Sequence, residues 1–288
     1  MNLAGPWPIR VTWAVLAVAL GPALDATLAD RSRAISLLLT VVLWGVWTVG
    51  LVAVLVPRTI GLTFLRITAP AGLVLAVWSA ASEADTWAAV LAVLAASVTT
   101  MVALSPTTGD AFVNGSAYGP ERRFALRVPA SLLFGPLQLT WFIVVAGALA
   151  GPLLLAAERW VAGAIATTVG LPLAALASRS LHQLSRRWLV FVPAGVVVHD
   201  PTAVASQLLQ RSTVRQIGPA PADTTAHDLT GGALGLALLI DLAEPVTVEP
   251  RRRRGATVRP VETDQLLVTP TRPGAVLREA TARRLPVG

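Results

Sequence analysis

Four stretches of this chain, 34–57, 86–109, 128–157 and 160–178, contain no charged residue at all. A helix needs about 20 mostly apolar residues to cross the hydrocarbon core of a bilayer. The first stretch includes LLLTVVLWGVWTVGLVAVLV and is closed by Arg33 and Arg58. Four such segments predict an integral membrane protein. The composition agrees: 54% of the 288 residues are hydrophobic, 14% are charged, and the mean hydropathy is +0.66. A soluble domain carries roughly 25% charged residues, so much of this chain has a solvent other than water.

Two further segments are long enough to span but are interrupted. The stretch between Arg58 and Glu83 holds Arg66 and Pro70. Arg66 is read as lying near the cytoplasmic end and snorkelling to the interface. The stretch between Arg10 and Asp30 holds Pro22 and Asp25. It reads either as a span or as a signal peptide, since an apolar run follows a single positive charge. The predicted architecture is a helical bundle over 1–185 with spans at about 11–29, 34–57, 61–82, 86–106, 130–156 and 160–181. Five spans is the alternative. With six spans and the N-terminus inside, nine arginines (Arg10, Arg58, Arg66, Arg122, Arg123, Arg127, Arg179, Arg186, Arg187) fall on the cytoplasmic side. Three (Arg31, Arg33, Arg159) fall outside. This positive-inside bias puts both termini in the cytoplasm of a bacterial inner membrane protein. The acidic loop around Glu83 and Asp85 then lies outside.

After Arg187 the apolar pattern changes period. WLVFV, the connection Pro193-Ala194-Gly195 and VVVHD read as a β-hairpin. Strand-like runs follow at SQLLQR, STVRQIG, ALGLALLIDL, VTVEP and QLLVTP, separated by turn residues. PGAVLREATARR then reads as an amphipathic helix over 273–284. Residues 186–288 are enough for one small core. The order of these strands, a last strand ending LLVTP and a terminal helix resemble the bacterial pleckstrin-homology-like domains. That resemblance implies a bent seven-stranded barrel plugged by the helix. It implies no ligand, because these domains share no ligand motif. The whole chain also resembles the alanine-rich membrane proteins of actinobacteria, for which no activity carries over.

Several chemistries are excluded by content. The absence of cysteine removes disulfides, thiol catalysis and thiolate metal sites. All 23 basic residues are arginine, and the net charge is +7. It divides as twelve arginines against seven acids through Arg187 and eleven against nine afterwards. Neither part makes a nucleic-acid surface, and without interleaved aromatics none is predicted. Three histidines, His182, His199 and His227, supply no set of three converging metal ligands. No cofactor is predicted.

The candidate interaction residues lie in two places. The segment 107–129 joins two spans and gathers Asp110, Asn114, Ser116, Tyr118, Glu121, Arg122 and Arg123. A long connection in a compact protein tends to carry function. The alternative is a solvated loop whose arginines set topology. Gly115-Ser116 lacks the second glycine of a nucleophile elbow, and Gly109-Asp110 lacks the glycine that precedes an intramembrane protease aspartate. The second place is the run Arg251, Arg252, Arg253 and Arg254. Each arginine near an anionic leaflet contributes about 1 kcal/mol, unless the run is only a solvated hairpin loop. Gly147-x-x-x-Gly151, and Gly163 with Thr167, place small residues at helix-packing spacing.

The expected function is non-enzymatic: a membrane scaffold, assembly or regulatory protein whose cytoplasmic β-domain docks on a membrane or cytoplasmic protein, or on anionic headgroups of the bilayer. A small-solute transporter or channel is the alternative. Apart from Arg179 at the end of the last span, Arg66 and Asp25 are the only ionisable residues inside the spans, and the two halves of the helical region show no repetition. A membrane enzyme using the 107–129 segment is the third reading.

Overall fold

The structure is a computed structural model that describes residues 5–82, 86–204, 206–249 and 260–288. Glu83, Asp85 and the run Arg251–Arg254 lie outside the described residues. The chain divides into two compact units, one of Met1–Gly115 with Gln138–His182 and one of Ser116–Leu137 with Gln183–Gly288.

The first unit is helical. Six of its helices are long and apolar enough to cross a membrane: α1 (Trp7–Leu28), α2 (Arg33–Leu55), α3 (Thr59–Ala80), α4 (Thr86–Leu104), α7 (Pro136–Ala156) and α8 (Trp160–Ser185). A short α5 (Pro106–Asn114) follows α4, with Ser105 as its cap accepting the Thr108 N–H. The buried residues of α4 are Ala89, Ala92, Ala96, Thr99, Thr100 and Ala103. They recur every three or four positions and all are small, so neighbouring backbones approach closely along one face. α1 and α3 pack there. The Trp13 and Trp47 indole N–H groups donate to each other's carbonyls at 3.0 and 3.1 Å, joining α1 to α2. The Trp13 ring fills the space a Cβ on Gly50 would need. The paired glycines of α7 and α8 meet as their spacing predicts: Gly147 faces the Gly170 carbonyl and Gly151 faces Thr167. Burial is uneven, with 39% of the apolar window buried in α1 but only 11% in each of α2, α7 and α8. Trp44, Val49, Phe142, Trp160 and Ile165 point outward. Such an exterior is compatible with a multi-pass membrane protein.

The second unit contains two four-stranded sheets that do not close into a barrel, so the barrel implied by resemblance is not established. The first sheet orders β1 (Arg122–Ala125), β2 (Trp188–Val192), β3 (Gly195–His199) and β4 (Gln207–Gln210). The second orders β5 (Val214–Pro219), β7 (Leu238–Val248), β8 (Val261–Val268) and β6 (His227–Asp228). The predicted hairpin forms with Val192 opposite Gly195, so its connection is two residues, one shorter than expected. Gly195 is required there, because a Cβ would stand 2.0 Å from the Leu209 carbonyl of β4. ALGLALLIDL and VTVEP join into the single strand β7, whose register slips between Asp241 and Val246. Pro245 sits in that irregularity, where a missing N–H breaks no ladder bond.

β1 comes from the segment between the fourth and fifth spanning helices, to which the sequence assigned no strand. It pairs antiparallel with β2 from Arg122 opposite Phe191 to Ala125 opposite Trp188. Just beyond it, Arg127 donates to the Thr269 carbonyl and Thr271 donates to the Ala125 carbonyl, both at 2.8 Å. This segment is therefore the seam between the sheets. α6 (Ala130–Leu133) follows, before α7. The core between the sheets includes Phe124, Leu189, Phe191, Val198, Leu209, Ile217, Leu238, Ile240 and Leu266. Phe124 and Phe191 meet edge to face with ring centroids 5.7 Å apart.

The helix α9 (Pro273–Ala282) closes the unit with Val276 and Ala280 buried. Its end is a Schellman turn, with Leu285 donating to Ala280 and Arg284 donating to Thr281, each at 2.9 Å. Arg284 occupies the left-handed position of that turn, with φ 57°. Glycine usually stands there, and any other residue costs about 1–2 kcal/mol.

Candidate functional site

The candidate segment 107–129 is divided between the two units. Its first part is α5, packed on α3 and α4. Asp110 is 2% exposed, and Asn114 donates to the Asp110 carbonyl at 2.7 Å. A Cβ on Gly109 would stand 3.1 Å from Nη2 of Arg66, so glycine lets that guanidinium lie against α5. One turn earlier on α3, Thr63 shares a 2.9 Å hydrogen bond with His182 Nδ1 on α8. Thr63, Arg66, Asp110 and His182 thus give the helical unit a polar region. Sequence reasoning took His182 only as part of a polar helix end.

The second part of the segment belongs to the β unit. Tyr118 is 87% exposed. Glu121 accepts from the Tyr118 N–H at 3.3 Å and from Arg123 at 2.8 and 3.2 Å. The hydrogen bonds from Arg123 come first in holding the Glu121 carboxyl below its ordinary range. Arg123 also donates to Ser116 at 3.1 Å and lies 5.4 Å over the Trp188 ring. Trp188 in turn stacks on His199 at 4.9 Å. Arg122 is exposed and lies 5.6 Å from the Phe124 ring centroid. Asp110 and Asn114 are therefore in one unit, and Tyr118, Glu121, Arg122 and Arg123 in the other.

Burial pushes the His199 imidazole below its ordinary value of 6.5, with Arg186 adding to the effect and Asp200 opposing it. His199 Nδ1 pairs with the Ser206 hydroxyl at 2.7 Å. Among the described residues no three histidine or acidic side chains gather as metal ligands.

Two arrangements escaped the sequence. Arg187, counted there as a topology signal, is 2% exposed, and Asp200 is 1% exposed. Arg187 donates to Asp200 at 2.8 and 2.6 Å and to the Arg127 carbonyl at 2.6 Å. The Thr202 N–H and hydroxyl donate to the other Asp200 oxygen at 3.0 and 2.6 Å. Burial alone would raise the Asp200 carboxyl, but the bonds from Arg187 and Thr202 prevail and lower it. This buried pair ties β3 to the start of β2 and to the seam. The second arrangement is a concavity of about 350 Å³ lined by Arg211, Arg283 and Arg284 with Val192, Pro193 and Gly195 among its walls. These arginines are far apart in sequence or buried in the pattern of a helix end, so no linear motif announces them.

Comparison of the chain with family models, with curated proteins and with solved structures finds no match.

Proposed function

We propose that this chain is a membrane-anchored docking protein whose β unit receives a protein partner or the bilayer surface on the cytoplasmic side. One observation carries the reading. The chain passes between the units three times, after Gly115, Leu137 and His182. A β unit on one flexible linker would range freely, whereas three crossings tether it to the helices at several points. Its own core supplies the rigid surface that recognition needs. The order of strands followed by α9 favours a pleckstrin-homology-like relationship, and the positive-inside bias favours cytoplasmic placement. The test is purification of the full chain from its native membranes in mild detergent, beside a version lacking residues 188–288. The reading expects a stoichiometric protein partner, or partition onto anionic vesicles, that disappears with the deletion. Equal recovery of every partner and equal vesicle binding would overturn it.

A small-solute carrier is the second reading. It is favoured by Arg66 on α3 and His182 on α8, since ionisable residues within membrane helices mark solute and proton paths, and by the buried Asp110 on the short α5. Uptake into proteoliposomes that Asp110→Asn removes would move the assignment there.

A further inference from the structure

We infer that the β unit carries an anion site for a phosphate group, formed by Arg211, Arg283 and Arg284. The three line one concavity of about 350 Å³, and no acidic residue lines it. Arg guanidinium groups match phosphate geometry with paired donors, and pockets from about 300 Å³ hold small organic ligands.

Each arginine is placed by a different part of the fold. Arg211 follows β4, where its N–H donates to the Ala194 carbonyl at 2.9 Å and fixes the turn against the β2–β3 connection. Its side chain is exposed and has no partner among the described residues. Arg283 is held by three contacts. Nε pairs with Glu279 at 2.7 Å, Nη2 donates to the Pro120 carbonyl, and the guanidinium lies 5.9 Å from the Phe191 ring centroid. Those contacts leave Nη1 unengaged among the described residues, on a group already oriented. Arg284 takes the left-handed position of the Schellman turn, which a glycine would fill without strain. Strain retained at such a position is an indication of function, and here the strained residue is a third arginine on the lining of the same concavity.

Electrostatics favour an anion. The three arginine charges lining the concavity are offset by the Glu279 charge, which pairs with Arg283, and by roughly half a charge at the end of α9. About 1.5 positive charges remain. An arginine near a helix C-terminus is also favourable without any ligand, yet Arg211 lies on no helix and that effect does not explain it.

This site goes beyond the docking reading and does not depend on it. A phosphate group could come from a soluble metabolite or from a lipid headgroup, and the experiment separates them. The full chain in phosphatidylcholine nanodiscs is titrated with inorganic pyrophosphate by calorimetry, then again in discs containing phosphatidate. Saturable binding is expected in phosphatidylcholine, weakened at least tenfold by Arg211→Gln with Arg284→Gly. That double variant should melt no lower than the parent, because Arg211 is exposed and unpartnered among the described residues and glycine relieves the strained turn, so lost binding is not lost folding. Weakened pyrophosphate binding in phosphatidate discs identifies the headgroup as the source, and unchanged binding identifies a soluble ligand. No saturable binding in phosphatidylcholine, or binding that the double variant retains, overturns the site. A protein partner found on the β unit with no pyrophosphate binding would leave the docking reading standing and remove this one.

Discussion

The two units place the same kinds of residue on opposite sides. In the β unit, Leu189, Phe191, Ile217 and Leu266 are fully buried between the sheets. In the helical unit, α7 buries only Val144 and Gly151, while Leu139 and Phe142 face outward. What the helices bury instead is small: alanines and threonines along α4, glycines between α7 and α8. Lipid tails are as apolar as leucine, so helices in a membrane gain little by hiding large side chains and associate through close backbone packing. In water the gain comes from removing large apolar surface, about 25 cal/mol per Å². The polar groups differ correspondingly, since the β unit encloses a complete ion pair at its seam.

Asp200→Ala should break this contrast most severely. It leaves the Arg187 guanidinium buried without its counter-ion, and removing one partner of a buried pair costs about 3–5 kcal/mol. Hydrogen exchange on the full chain should show the loss across β2, β3 and the seam, with α1 and α4 still protected. Equal loss of protection in both units would mean that they unfold together.

Gly151→Val probes the other side. A Cβ on Gly151 would stand 2.2 Å from the Thr167 hydroxyl and 2.7 Å from its backbone. Overpacking of this kind costs about 1–3 kcal/mol. The variant should loosen α7 from α8, read as new protease or exchange sensitivity in those helices, and leave the β unit's protection unchanged.

The smallest effect is pH dependence, and it belongs to the β unit. His199 titrates below its ordinary 6.5 in the fold, so the unfolded chain binds a proton first as pH falls. Asp200 titrates below its ordinary 3.8 for the same formal reason. Both contributions are fully present above pH 7. His199 reduces stability as pH falls below 6.5, and Asp200 reduces it again below 3.8. Denaturation midpoints of the β unit between pH 8 and 5 should decline, and His199→Gln should flatten that decline. A midpoint rising toward pH 5 would contradict the sign.

The spans were legible because a bilayer filters sequence harshly: a charge-free run of spanning length has few alternatives. The strands after Arg187 were legible from alternation and turns, except the two-residue β6, and α9 from its apolar spacing. β1 was not legible. Its four residues, Arg-Arg-Phe-Ala, carry too little pattern, and its partner β2 lies more than one span away in sequence. The second role of Arg187 was not legible, because an arginine after an apolar helix looks only like a topology signal until Asp200 and the Arg127 carbonyl are seen around it. β7 was read as two strands because Pro245 ordinarily ends one, and only the shifted register shows how it is accommodated. The candidate segment 107–129 is divided after Gly115, and a linear reading could not show that its two ends belong to different units.

β1 joins the C-terminal strands by pairing with β2, and the absence of cysteine from the sequence allows a direct measurement of that pairing. Leu126 donates to the Arg187 carbonyl at 3.0 Å, so bonded and non-bonded pairs alternate from that point. Arg123 opposite Val190 is then a non-hydrogen-bonded pair, with a Cα separation of about 4.5 Å. That lies within the range a disulfide bridges. Arg123→Cys with Val190→Cys, oxidised in native membranes, should form an intramolecular disulfide in most of the protein, read by intact mass and gel mobility. Tyr118→Cys with Val190→Cys should not. Two free thiols in the first pair, both labelled by maleimide after oxidation, would contradict the account.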